Sequence, residues 1–199
     1  MTRRCPINRS SRKRPAFTLV EILVVLVILG IAAAIIVPQI GTRDDLRVDA
    51  ARRILMADLI YAQNRAISTQ ARHYVTFDTT ASPRTYRIVT GMSPTNPSGT
   101  PVAHPISHEP QYQVTFGLGA PAGTTGLTSG MELVELTAVD FEGGHTTIAF
   151  DELGVPHYYE AGNLVATASS GASYIDVRCG NFTRRVTIEP YTGDIQAPE

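Results

Sequence analysis

Three patterns of hydrophobic and polar positions follow one another along the chain. From Phe17 to Ile40 almost every position is apolar, and Glu21 is the only charge. The uncharged part, 22–42, is 21 residues long. As a helix rising 1.5 Å per residue it would reach about 32 Å, the thickness of a hydrocarbon core. The pattern predicts a membrane-spanning helix over 17–42. From Leu46 to Arg72 the period changes. Val48, Ala51, Leu55, Leu59, Ala62 and Ala66 recur every three or four residues, with Arg47, Asp49, Arg52 and Arg53 on the other side. That predicts an amphipathic helix continuing the first, its stripe packed on a sheet. Asp44 and Asp45 stand near its start, where the helix dipole favours acids.

From His73 the period falls to two. HYVTFD (73–78) and TYRIVT (85–90) read as paired strands around a Thr-Ala-Ser-Pro turn. Further strands are predicted at 112–116, 131–136, 146–151, 155–159, 174–178 and 182–189. Residues 91–110 hold five prolines and 117–130 hold five glycines; both read as surface loops without regular structure. One long helix followed by short strands and turns describes an α+β fold, a helix laid on antiparallel sheet.

Charge sharpens this division. The net charge is −1, yet residues 1–16 carry six basic side chains and no acid, leaving 11 basic against 18 acidic residues in the remainder. The basic flank predicts that 1–16 stay in the cytoplasm and that the chain beyond 43 lies outside. The mildly acidic remainder argues against general nucleic-acid binding. Cys5 and Cys179 lie on opposite sides of the apolar run, so no disulfide framework or cysteine-based zinc site is readable. Three readings of the apolar run compete. Ala32-Ala33-Ala34 offers a signal-peptidase site, but the run continues past it and carries an acid. A plain anchor accounts for everything except Glu21, because a carboxylate inside a span costs roughly 2.5–3.5 kcal/mol. In the third reading the residues themselves matter: a basic leader, a small residue, then Phe-Thr-Leu-Val-Glu.

AFTLVEILVVLVILGIAAAIIVP (16–38) resembles the N-terminus of type IV pilins and type II secretion pseudopilins. The resemblance implies cleavage by a prepilin peptidase between Ala16 and Phe17, with Ala16 standing where the family has glycine. It also implies N-methylation of Phe17, an assembly role for Glu21, and other pseudopilins or pilins as partners through the N-terminal helix. Gly30 and Pro38 resemble family positions at which that helix bends. Glycine weakens a helix interior, and proline removes a hydrogen bond and clashes one turn back. The alternative for Gly30 is close packing against lipid or a neighbour. Further on, AARRILMADLIYAQNRAISTQARHYVTFD, TIAFDELGVP and YIDVRCGNFTRRVTIEPYTGDI are similar to the GspH/FimT family of minor pseudopilins and pilins. Phe150 and Gly154 match its Phe-x-x-x-Gly turn, and Val186, Ile188 and Gly193 match its closing strand and glycine turn.

Signals of other chemistry are thin. His104 and His108 have the i, i+4 spacing of a metal pair beside Glu109, but Pro105 and Pro110 oppose a helix there. GLGAPAG has Ala122 where the last glycine of a dinucleotide loop would stand, and no G-K-[ST] or G-x-S-x-G occurs. Asp140, Glu142 and Asp151 are acids of the kind that bind calcium, without the spacing of a loop ligand set. The neighbouring acids Asp151 and Glu152 would point to opposite faces of a strand. Arg178, Arg184 and Arg185 form a basic patch, read either as surface ion pairs or as the DNA-contacting surface of a FimT-like pilin; the acidic tail YTGDIQAPE opposes the second. Cys179 falls with Ile175 and Val177 on one face of a strand, which predicts a buried thiol.

The sequence thus predicts a pilin-like α+β subunit in three parts. These are a leader (1–16), a transmembrane and filament-core helix (17–42), and a periplasmic globular domain (43–199). It sits in the inner membrane with a single pass, and it carries no catalytic residues, cofactor or metal. The implied function is a minor pseudopilin in a short periplasmic filament of type II protein secretion. A minor type IV pilin, with DNA contact unlikely by charge, is the alternative within the class. A membrane-anchored periplasmic enzyme or binding domain is the alternative outside it.

Overall fold

A computed structural model describes residues 17–40, 43–106, 108, 110–117, 125–126, 133–160, 163–166 and 173–198. For 34–40, 125–126, 160 and 163–166 it describes the backbone alone. The leader, including Ala16 and Cys5, lies outside these residues, as do Glu109 and most of the glycine-rich stretch.

The chain divides into two compact units, Met1–Thr42 and Arg43–Glu199. The first contains helix α1 (Leu19–Ile40, 22 residues). Its described apolar side chains are exposed, from Leu19 at 82% to Val25 at 47%. A helix apolar on every face finds its burial in a membrane or among other chains. Among the described residues no helix is long and apolar enough to cross a membrane. The side chains of 34–40 and the residues 41–42, which complete the expected span, lie outside them.

The second unit opens with α2 (Asp44–Thr69, 26 residues). The predicted stripe of Val48, Ala51, Leu55, Leu59, Ala62 and Ala66 is its buried face, each residue at most 1% exposed. The helix starts two residues before the predicted Leu46 and ends three before Arg72. It stops because Gln70 takes a left-handed conformation (φ 49°), and the Gln70 side-chain amide donates to the carbonyl of Ile67 at 2.8 Å. One open carbonyl of the last turn is thereby satisfied.

Among the described residues twelve strands follow: β1 (His73–Asp78), β2 (Thr85–Thr90), β3 (Thr100–Pro101), β4 (Tyr112–Thr115), β5 (Thr125–Gly126), β6 (Glu135–Asp140), β7 (Thr147–Phe150), β8 (Pro156–Glu160), β9 (Asn163–Ala166), β10 (Ser173–Cys179), β11 (Phe182–Ile188) and β12 (Ile195–Gln196). The larger sheet runs β5-β4-β2-β1-β7-β8-β9, with β3 added to β2; the smaller runs β12-β11-β10-β6. All pairings are antiparallel except β4 with β5. Helix α2 packs on β1 and β7 of one sheet and on β10, β11 and β12 of the other. The core thus fills the space between one helix and two sheets: Leu55 and Leu59 from α2, Phe77, Tyr86, Ile88 and Phe150 from the larger sheet, and Ile175, Val177 and Val186 from the smaller. Arg84 joins the sheets by donating from Nη1 to the carbonyls of Leu136 and Thr137 at 2.6 and 3.0 Å.

Three expectations need correction, the first in the glycine-rich stretch 117–130, where Thr125–Gly126 pair with β4. The strand predicted at 131–136 forms at Glu135–Asp140, because pairing with β10 carries it on through Val139 opposite Ile175 and Asp140 opposite Tyr174. The proline-rich stretch 91–110 is not free of regular structure. Ser93 and Asn96 exchange backbone hydrogen bonds, and Thr100–Pro101 add to β2. A Cβ on Gly99 would lie 2.7–2.9 Å from Val89 and Met92 side-chain atoms, so its glycine lets this segment fold down on the sheet. Pro101 is tolerated because its strand is a short addition at an edge.

Candidate functional site

The first candidate is the start of α1. Thr18 precedes the helix, and its Oγ1 accepts the backbone N–H of Glu21 at 3.2 Å. Thr18-Leu19-Val20-Glu21 therefore carries the sequence signature of a capping box. The feature was readable from T-x-x-E, and it gives Thr18 a physical role in fixing the first turn. Glu21 lies in that turn, where the helix dipole favours an anion, and its side chain is exposed. Phe17 is 75% exposed immediately before the helix. Nothing lies within 4 Å of a Cβ built on Gly30, so no contact inside the chain demands a glycine there. Pro38 is within α1 by its backbone.

The glycines picked out in the soluble half meet in space. The Gln63 side-chain amide donates to the carbonyls of Gly154 (3.0 Å) and Gly193 (3.1 Å). Gly154 has φ +83° and Gly193 φ +68°. A Cβ on Gly193 would come within 2.6 Å of both Gln63 Nε2 and the Gly154 carbonyl oxygen. One glutamine on α2 thus ties the turn after β7 to the turn before β12, and both turns require glycine for conformation and space. Phe150, Val186 and Ile188 are buried core residues. This arrangement positions chain; it presents no reactive group.

The remaining candidates have structural partners. Cys179 is 1% exposed, as expected of a packed thiol. Its pKa is raised, first by burial and then by the nearby Asp44 carboxylate, so it is a poor nucleophile. The three arginines are all ion-paired: Arg178 with Glu135 (2.9 Å), Arg184 with Asp49 (2.8 Å), and Arg185 with Asp176 (2.7 Å). Arg185 also lies 3.9 Å over the Tyr174 ring. Asp151 serves its own turn by accepting the N–H of Leu153 (2.9 Å) and Val155 (2.8 Å), with His157 Nε2 3.1 Å away. Burial alone would raise its pKa, but these hydrogen bonds outweigh it and hold the carboxyl below its usual range. Asp140 accepts the N–H of Gly144 at 2.9 Å. The His108 N–H reaches the His104 carbonyl (3.0 Å), forming a single turn, and the His104 ring packs against Tyr112. Among the described residues no group of three potential metal ligands forms.

Sequence reasoning missed one polar cluster. Asp58 of α2 accepts the hydroxyl of Tyr86 from β2 and that of Tyr112 from β4, the latter at 2.6 Å. Its partners are 28 and 54 residues away, so no local pattern announces it.

With the start of α1 being a capped first turn that carries an acid on an exposed apolar helix, comparison with known proteins falls on the same stretch. The family model for the prokaryotic N-terminal methylation motif matches residues 11–37. Over 34 residues the chain is 59% identical to type II secretion system core protein G of Pseudomonas aeruginosa. That alignment covers 17% of this chain and 24% of the relative, so the chain matches about a quarter of that protein's length. No solved structure matches. The N-terminus therefore carries a prepilin-type methylation motif, and the remainder is an α+β unit of one helix on antiparallel sheets.

Proposed function

We propose that the chain is a structural, pilin-like subunit. It is made as a precursor, cut by a prepilin peptidase between Ala16 and Phe17, and N-methylated at Phe17. Residues 17–42 hold it in the inner membrane with 43–199 in the periplasm. It then joins other pseudopilins through α1 in a short filament of type II secretion. Its place there is that of a minor pseudopilin of the GspH/FimT kind. The single observation that carries this reading is the methylation motif over 11–37, with Phe17 and Glu21 in register on an exposed apolar helix. The similarity to core protein G supports the same class of machine. Gly30 and Pro38 serve as points where α1 bends when packed among other subunits.

Glu21 acquires a physical purpose on this reading. Cleavage turns Phe17 into an α-amine, cationic at neutral pH. A neighbouring subunit, offset along the filament, brings its amine against the Glu21 carboxylate. An unpaired charge in apolar surroundings is costly and a hydrogen-bonded pair is tolerated. The acid thus penalises wrong registers. If Glu21 instead only reaches toward the headgroups, as its place near the end of the span permits, it would be dispensable. Glu21→Ala and Glu21→Gln distinguish the two. Both variants are expected to insert in the membrane but to lose crosslinking to partner pseudopilins. Co-assembly and secretion at the wild-type level by Glu21→Ala would remove the pairing role.

A further inference from the structure

The Asp58 cluster is a desolvated ionisable group that the proposed function does not use. Its position gives it a task. Helix α2 packs directly on β1 and β7, next to each other in the larger sheet, and on the smaller sheet. The other half of the larger sheet, β2 and β4, meets the helix at Asp58, which accepts the hydroxyls of Tyr86 and Tyr112. The Tyr112 ring touches two further groups. Tyr61 of α2 stacks on it at 5.5 Å, and His104 sits at 4.5 Å between ring centres. His104 belongs to the segment leading into β4. That segment is held by Val102 N–H to the Ile88 carbonyl (3.2 Å) and by Tyr112 N–H to the Val102 carbonyl (2.7 Å).

We propose that Asp58, Tyr86, Tyr112 and His104 form a proton-controlled latch that fastens the β2–β4 half of the larger sheet, and residues 102–106 with it, to helix α2. The latch grips in acid and loosens as the pH rises above the ordinary carboxylate range.

The groups facing Asp58 are Tyr86 from β2, Tyr112 from β4 and His104 from the connecting segment, with Tyr61 of its own helix stacked on Tyr112. Burial raises the pKa of Asp58, and this outweighs the hydrogen bonds from Tyr112 and Tyr86 and the charge of His104, which lower it. The closed form therefore binds a proton more tightly than an opened, solvated one. A group whose pKa is raised in the closed state contributes most at low pH, and that contribution fades as the pH rises from the ordinary carboxylate range through the raised value. The phenols do not titrate in this window, because burial and the adjacent carboxylate push both above their usual range. They remain donors while the acceptor changes.

The test is amide hydrogen exchange on the full chain in detergent micelles between about pH 4.5 and 8, with rates corrected for the intrinsic rise with hydroxide. Protection at Val102 and Tyr112 should fall roughly threefold or more with rising pH, while amides of β10 and β11 stay level. Asp58→Asn keeps the shape and cannot ionise, so it should abolish the fall. A second readout guards against failure of that variant to fold. The Asp58 carboxyl carbon resonance of the wild type should titrate above the ordinary carboxylate range, and His104→Gln should move its midpoint higher. Level protection at Val102 and Tyr112, an equal fall in β10 and β11, or an unchanged fall in Asp58→Asn would each overturn the latch. So would a carboxyl midpoint in the ordinary range or one that His104→Gln leaves in place.

Discussion

The two units of this chain invert each other. In α1 the large apolar side chains are exposed, Leu19 at 82% and Ile31 at 60%. In α2 the apolar stripe is buried to 1% or less. Composition separates them, with one charged residue in α1 against eight in α2, and spacing decides where each apolar set is buried. In α2 the apolar positions fall on one stripe, which can be satisfied by the chain's own sheets. In α1 they surround the helix, and no single sheet could cover them. The first unit must find its burial outside the chain, and the second finds it within. Substitutions in 43–199 should therefore act on folding and, on the proposed function, substitutions in 17–42 on assembly.

The largest effect on folding should come from the stripe itself. Leu59→Ala, at a position with no solvent exposure, is expected to cost about 2–5 kcal/mol in denaturant unfolding. The same change at the exposed Leu23 should leave that unfolding free energy within about 0.5 kcal/mol of wild type. Equal losses at the two sites would break the comparison.

The clamp at Gln63 comes next. Gly193→Ala must keep a positive φ and place a methyl carbon 2.6 Å from the Gly154 carbonyl oxygen. A loss of about 1–3 kcal/mol is expected. Gln63→Ala, which removes two hydrogen bonds, should lose about 1–2 kcal/mol. Because the three groups touch, Gly193→Ala with Gln63→Ala should cost less than the two added together. Strict additivity in a double-mutant cycle would mean that the turns are not clamped as one unit.

A smaller effect, and one with a pH signature, belongs to Asp151. Its carboxyl is held below the usual range, so its contribution is complete above the ordinary carboxylate value near 3.9 and fades as the pH falls through the depressed one. Asp151→Asn should cost about 1 kcal/mol at neutral pH. The gap from wild type should close as the pH falls through that depressed value. A gap that stays constant into acid would assign the loss to packing instead. This trend runs opposite to that of Asp58, so the two acids separate cleanly in a pH series.

What could be read beforehand follows the same physical division. The α2 stripe, the strands at 73–78 and 85–90 and the burial of Cys179 were legible because each rests on a local period. The start of α1 was legible because its motif is contiguous. Polar groups whose partners are distant in sequence were not. Asp58 sits beside the stripe, and nothing around it indicates that Tyr86 and Tyr112 will arrive with their hydroxyls. Gln63 is a similar case. Gly154 and Gly193 stand out in the sequence, but that one glutamine holds both is a fact of the packed chain. The short strands β3, β5 and β12 escaped notice because a two-residue pairing has no period. The end of β6 was misplaced because its partner strand, and not its own alternation, carries it to Asp140.

The central claim is that residues from Phe17 onward form the mature, assembly-competent helix. The most direct test is an intact-mass and N-terminal sequence determination on the chain recovered from its native membrane. The account predicts a mature protein beginning at Phe17 and carrying one added methyl group, with precursor accumulating when Ala16 is replaced by a bulky residue. A mature chain beginning at Ile35 would show ordinary signal-peptidase release after Ala34. It would remove most of α1 from the functional protein, and the filament reading with it.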